Sequence, residues 1–210
     1  MNTRVENTVL VLDALQALYP TPCCELDHVD PFQLLVATVL SAQCTDKVVN
    51  QVTPVLFQRW PDAWSLVTAS PEALEEVIHS TGFFRSKARH LLGLARVLVD
   101  EHGGAVPTEM SSLVALPGVA RKTANVVLGT AFGIRSGIVV DTHVQRVTMR
   151  WGWHTASDAV KIERVLMEIV PEERWIDFGH QGVLFGRYLC RSRNPSCGAC
   201  TMRVFCPSRS

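Results

Sequence analysis

Several features are missing from this sequence, and each absence narrows what the chain can be. There is no net charge: twenty lysines and arginines stand against twenty aspartates and glutamates, so the whole-chain balance announces no charged partner. No apolar run is long enough to cross a bilayer, which argues against a membrane-spanning helix. The first residues place Arg4 and Glu6 before a short apolar run that Asp13 interrupts. No small-residue cleavage site follows, so no export signal is expected and the cytoplasm is the expected compartment. No internal repeat or low-complexity tract stands out. β-structure is scarce as well. Only Gly137-Ile138-Val139-Val140 reads as a strand, and one short strand builds no sheet.

What remains is a chain of 210 residues with 47% hydrophobic content, enough for one large domain or two small ones with a real core. Helical punctuation recurs along it. Asp30-Pro31-Phe32-Gln33 supplies an N-cap, a proline for the first helical position and a glutamine that reaches back, and an apolar helix follows from Leu34 to Ala42. Ser70-Pro71-Glu72 opens another, with Gly82 as its stop. Ser86 to Glu101 and Ser157 to Val170 carry apolar residues at helical spacing. The expectation is an all-α fold, with its clearest break between Gly133 and Gly137. Charge is neutral overall but uneven. From Phe178 to Ser210 there is no acid, while Arg187, Arg191, Arg193, Arg203 and Arg209 all fall there. This is a cationic arm able to neutralise phosphates, or a solvated basic tail.

Cys190, Cys197, Cys200 and Cys206 follow a C-x6-C-x2-C-x5-C spacing. Four thiolates packed this closely repel one another unless a cation or a metal cluster absorbs their charge, so a metal centre is expected. Zinc takes four thiolates tetrahedrally, usually from paired short knuckles, whereas an iron-sulfur cubane needs one cysteine per iron and tolerates uneven loops. One short gap out of three tilts toward the cubane. Cys23, Cys24 and Cys44 are assigned no chemistry.

Leu113 to Leu128 reads as helix, tight turn at Pro117-Gly118, and a second helix starting near Ala120. A helix N-terminus exposes unpaired N–H groups, and glycine lets a phosphate come close, so the hairpin is an anion site or an ordinary helical corner. Lys122 stands in the first turn of the second helix, where the positive end disfavours its ammonium form. It is either a nucleophilic amine or a phosphate contact. Asp141 ends the apolar run Val139-Val140, as a carboxylate facing a cationic transition state or as an N-cap for a helix from Thr142.

Taken in order, Leu40-Ser41-Ala42-Gln43, Gly82-Phe83-Phe84-Arg85-Ser86-Lys87-Ala88, Leu116-Pro117-Gly118-Val119-Ala120-Arg121-Lys122-Thr123-Ala124, Val140-Asp141-Thr142-His143 and the four cysteines resemble the endonuclease III family. The set runs from about Pro31 to Cys206, and it is far more specific than any one member.

The resemblance implies a two-lobed helix-hairpin-helix DNA glycosylase. A six-helix barrel over 25–135 would contain the hairpin at about 111–130, and both termini, 1–24 and 136–210, would form a lobe holding a [4Fe-4S] cluster on Cys190, Cys197, Cys200 and Cys206. It implies a monomer acting on double-stranded DNA with damaged bases or abasic sites, in the bacterial cytoplasm at the nucleoid. Lys122 takes the nucleophile's place and Asp141 that of the assisting carboxylate. Gln43 fills the gap left by the extruded nucleotide, Phe83 is the wedge, and Gly118, Ala120 and Arg121 meet the DNA backbone. His143 is expected to make structural hydrogen bonds only. Two positions depart from the family pattern: Ala120 stands where a second glycine is usual, and Phe83 where leucine is common. Oxidised pyrimidines follow as substrates from the resemblance alone. Rival activities on this scaffold are an adenine mismatch glycosylase without a lyase step, disfavoured by Lys122, and a non-catalytic DNA-binding module, for which Ala120 is the main argument.

Overall fold

The computed structural model describes residues 3–209, with side chains from residue 7 onward. Met1, Asn2 and Ser210, at the outer ends of the expected cluster lobe, lie outside the described residues. Every regular element among the described residues is helical, so the fold is all-α. The chain divides into two compact units, one of Cys24–Ile134 and one joining residues up to Cys23 with those from Arg135 onward.

After α1 (Thr3–Leu18), which belongs to the split unit, the chain enters the continuous one. It runs there through α2 (Pro31–Leu40), α3 (Asp46–Arg59), α4 (Ala63–Leu66), α5 (Pro71–Ile78), α6 (Phe84–His102), α7 (Met110–Ala115) and α8 (Arg121–Phe132). The start of α2 follows from its sequence. The Asp30 carboxylate accepts the N–H of Gln33 at 2.8 Å, Pro31 fills the first turn, and the Gln33 side chain takes the N–H of Val29 at 3.2 Å. Phe32 and every residue from Leu34 to Leu40 are buried. A helix apolar on all sides must sit at the centre of a core, and α3, α6 and α8 pack around it. Each of its leucines contributes about 1.5–3 kcal/mol by leaving water.

Several helix limits differ from the sequence reading, and two of them bound the turn that carries Phe83. The α5 helix, capped by the Ser70 hydroxyl, ends at Ile78 and tightens into a 3-10 turn, His79–Thr81, before Gly82. The α6 helix begins two residues before Ser86, with Phe83 as its N-cap in a left-handed conformation.

The split unit adds α9 (Thr142–Arg150), α10 (Ala159–Ile169) and α11 (Trp175–Leu184) to α1. The last of these runs on into a π-helical turn, Phe185–Leu189, followed by 3-10 turns at Cys197–Ala199 and Thr201–Val204. Gly137 to Val140 is not a strand, and no strand occurs among the described residues. With no second strand to pair with, the run is instead held by helix packing. Ile138 and Val140 are buried, and Gly179 of α11 lies so close that a Cβ there would stand 3.5 Å from the Val139 nitrogen. Farther along, a Cβ at Gly182 would meet Val144 Cγ2 at 3.1 Å and one at Gly186 would meet His143 Cβ at 2.8 Å. Gly182 and Gly186 let α9 lie close against α11 and the π-turn, and Gly179 does the same for the segment before α9.

Candidate active site

The α7–α8 hairpin is built from its turn outward. Leu113, Leu116 and Val119 are buried and anchor it, while Gly118 and Ala120, on either side of Val119, are exposed. Gly118 has φ +79°, and a Cβ there would stand 2.8 Å from His90 Cβ. Conformation and space therefore both require glycine. Ala120 is different: at φ −90° and ψ 167° it is ordinary extended backbone, so the departure at this position carries no backbone strain. It is also the N-cap of α8 and offers no side-chain acceptor to the first turn. Arg121 is half-buried and Lys122 exposed on this same turn.

In the split unit, Asp141 is the N-cap of α9. One of its oxygens, Oδ1, accepts the N–H groups of His143 and Val144, each at 2.8 Å. The capping reading of this residue therefore holds, and Oδ2 takes no hydrogen bond among the described residues. Capping and a second task for the carboxylate are compatible. His143 receives Arg146 at its ring, Nη2 to Nδ1 at 3.2 Å, a structural contact.

Gln43 and Phe83 both lie at turns of the continuous unit, and both have positive φ, +53° and +50°. Phe83 is 67% exposed, and Gln43 is also exposed. Bulky side chains rarely adopt this conformation.

The four cysteines line one cavity together with Arg150, Trp151, Phe185 and Met202. The π-turn delivers the first of them, since the Cys190 N–H closes onto Phe185 O at 2.8 Å. Burial pushes the Cys200 and Cys206 thiols up, and the charges of the neighbouring cysteines push them further. Among the described residues no three histidine, cysteine or acidic side chains are gathered tightly enough for a single metal ion.

Three polar residues near these features escape a reading of the sequence. Lys87 is buried. Its signal was its register, for Lys87, Leu91, Leu94 and Leu98 form one buried stripe of α6. Arg146 and Arg150, four residues apart on α9, both reach the cysteine loop. Arg146 donates to Cys190 O at 3.2 Å and Gly186 O at 2.7 Å, and Arg150 donates to Arg191 O at 2.9 Å and Ser192 O at 3.2 Å.

A family model described as HhH-GPD superfamily base excision DNA repair protein matches residues 36–172. The chain belongs to this superfamily. Within the HhH-GPD proteins it is similar to Endonuclease III of Synechocystis sp. (strain ATCC 27184 / PCC 6803 / Kazusa), with 50% identity over 208 residues that cover 99% of this chain and 95% of the relative. A solved non-covalent Endonuclease III–DNA complex matches with a TM-score of 0.93 and 42% identity, covering 99% of this chain and 97% of that one. A trapped covalent Endonuclease III–DNA intermediate matches equally well, again at TM-score 0.93 and 42% identity with the same coverage. Between Val36 and Glu172 the matched stretch takes in the hairpin, Lys122 and Asp141, whereas the four cysteines lie beyond it.

Proposed function

We propose that this HhH-GPD protein is a bifunctional DNA glycosylase and abasic-site lyase of base excision repair. The observation that carries the reading is Lys122, exposed on the first turn of α8 straight after the hairpin, in a chain 42% identical to an Endonuclease III caught covalently on DNA. In this reading the Lys122 amine attacks the anomeric carbon of an extruded nucleotide. The glycosidic bond breaks, and the base leaves with its electron pair and takes up a proton. The sugar opens to a Schiff base, loses a proton from the neighbouring carbon, and expels the 3′ phosphate by β-elimination. Asp141, with Oδ1 held by two backbone N–H groups, presents Oδ2 to the positive charge that develops on the sugar. Gln43 and Phe83 enter the stack as the nucleotide leaves it. Gly118, Ala120 and Arg121 seat the phosphates on the uncapped turn.

The substrate is double-stranded DNA carrying damaged bases, oxidised pyrimidines among them, or abasic sites, and the protein acts as a monomer in the cytoplasm at the nucleoid. The two lobes are a six-helix barrel over 25–135 and a cluster lobe formed by 1–24 with 136–210. The extended conformation of Ala120 weighs against the non-catalytic alternative, because the extra methyl group does not distort the turn.

The donor set fits a [4Fe-4S] cluster on Cys190, Cys197, Cys200 and Cys206. The four thiols line one cavity without the tight gathering that one zinc ion needs, and a cubane binds each cysteine to its own iron. Such a cluster would cross-link the loop from Cys190 to Cys206 and leave the chemistry to Lys122.

Borohydride added during reaction with an abasic-site duplex tests the mechanism. A covalent adduct is expected with the intact protein and none with Lys122→Ala. Absence of the adduct from intact protein that still binds the duplex would return the chain to a binding module.

A further inference from the structure

Lys87 is only 4% exposed, and its ammonium donates to two backbone carbonyls, Leu40 O and Thr81 O, both at 2.8 Å. Burial pushes its pKa below the ordinary lysine value, an effect the neighbouring Cys44 offsets in part. An apolar side chain of the same length would fill this space without a charge to desolvate, so the ammonium must answer to its two acceptors. Both are helix ends. Leu40 closes α2 and Thr81 closes the 3-10 turn after α5, where carbonyls lack partners and carry partial negative charge.

Three residues beyond Leu40 comes Gln43, and two beyond Thr81 comes Phe83, the exposed non-glycine residues at positive φ in this unit. Strained backbone persists only where its surroundings over-determine it. Here one side chain holds a carbonyl at the helix end that precedes each strained tip. Lys87 itself lies on the first turn of the helix that Phe83 opens, and Lys87 N–H bonds back to Phe83 O at 3.0 Å.

We propose that Lys87 is a positioning residue for base extrusion: its buried ammonium ties together the two tips that carry Gln43 and Phe83, so that both enter the DNA stack as one preset unit. The inference rests on the reading above that these two side chains are inserted. It gives Lys87 no contact with DNA and no part in bond cleavage.

The test uses the full-length protein and a duplex carrying a tetrahydrofuran abasic analogue, with 2-aminopurine as the opposite base to report unstacking. Intact protein is expected to raise the fluorescence on binding, and Gln43→Ala and Phe83→Ala to lower that rise. Lys87→Met should bind the duplex with little change in Kd, because the hairpin is untouched, yet lose most of the rise. Its kcat on a damaged base in duplex should fall roughly tenfold to a hundredfold, the size of an unstacking cost no longer recovered. Cleavage of an abasic site within an unpaired bulge, where nothing needs unstacking, should be nearly unchanged. Should Lys87→Met not fold, Lys87→Gln, which keeps a donor for one carbonyl, carries the same comparison. Intact fluorescence and kcat in the folded variant would overturn the proposal, as would unfolding of both variants or equal losses on duplex and bulge. If Gln43→Ala and Phe83→Ala leave the rise untouched, the insertion reading fails first and the clamp has nothing to position.

Discussion

Arg150 donates from Nη1 to the Sγ of Cys190 at 3.2 Å. Arg150 is the last residue of α9 and Asp141 caps its first turn, so one helix of nine residues joins the candidate carboxylate to the cysteine loop. With a cluster bound, partners in the outer shell such as this are typically worth 10- to 100-fold in metal affinity. Arg150→Leu is expected to bleach roughly ten times faster or more than intact protein in the presence of a chelator, followed by visible absorbance. Substituting the exposed Lys161 on α10 by alanine should change nothing. Equal bleaching rates for Arg150→Leu and intact protein would remove Arg150 from the cysteine site.

The two tasks of Asp141 can be separated chemically. Asp141→Asn keeps an oxygen for the N–H groups of His143 and Val144 but loses the charge, whereas Asp141→Ala loses both. Thermal melting should therefore be close to intact for the asparagine variant and lower by about 1 kcal/mol for alanine. Base excision should fall about a hundredfold or more in both. Full excision by the asparagine variant would leave Asp141 with capping alone.

At the hairpin, the two positions should respond in opposite ways. Gly118→Ala places a Cβ on left-handed backbone and against His90, and should cost about 1–3 kcal/mol as well as weaken DNA binding. Ala120→Gly changes an extended residue, and should leave stability within about 0.5 kcal/mol. Denaturant midpoints measure both, and equal effects at the two positions would contradict the turn geometry.

Acid should weaken the split unit through His180. Burial pushes its pKa below the ordinary histidine value, with the Asp177 charge acting the other way. The unfolded chain thus binds a proton in the window between the lowered folded value and about 6.5, where the folded one does not. Stability rises with pH through that window, is flat above it, and carries the full penalty below. The melting temperature should drop on going from pH 7.5 to pH 5, and His180→Gln should flatten the slope. An unchanged slope would place the acid sensitivity elsewhere.

How far the sequence could be read depended on whether a signal was local. Asp30 and Ser70 announce their helices because a cap acts within three residues, and the break near Gly133 coincides with the turn from one unit to the next at Ile134. The four cysteines stand out by their spacing, and the fold brings them to line one cavity. The strand-like Gly137 to Val140 misled because β-branched residues suit any buried extended segment, and whether one becomes a strand depends on a partner far away in sequence. Lys87 and Arg150 were hidden for the same reason. A lysine or arginine on an amphipathic helix ordinarily faces water, and only the fold brings Leu40 O, 47 residues away, to Lys87 or Cys190 to Arg150. Gly182 and Gly186 were visible as residues, but their purpose appears only once α9 is seen pressed against them.

One helix links the two ends of the DNA contact proposed above for the continuous unit. Phe83 opens α6, and two turns further along the same helix His90 closes over Gly118 while Gly93 would touch Pro117 through a Cβ at 3.2 Å. At about 1.5 Å per residue, Phe83 and the hairpin are spaced by a rigid ruler of roughly 10–15 Å. One residue added between Phe83 and His90 would swing the two apart by about 100°, so in the proposed reading the length of this stretch is a specification that the protein shares with the geometry of its substrate.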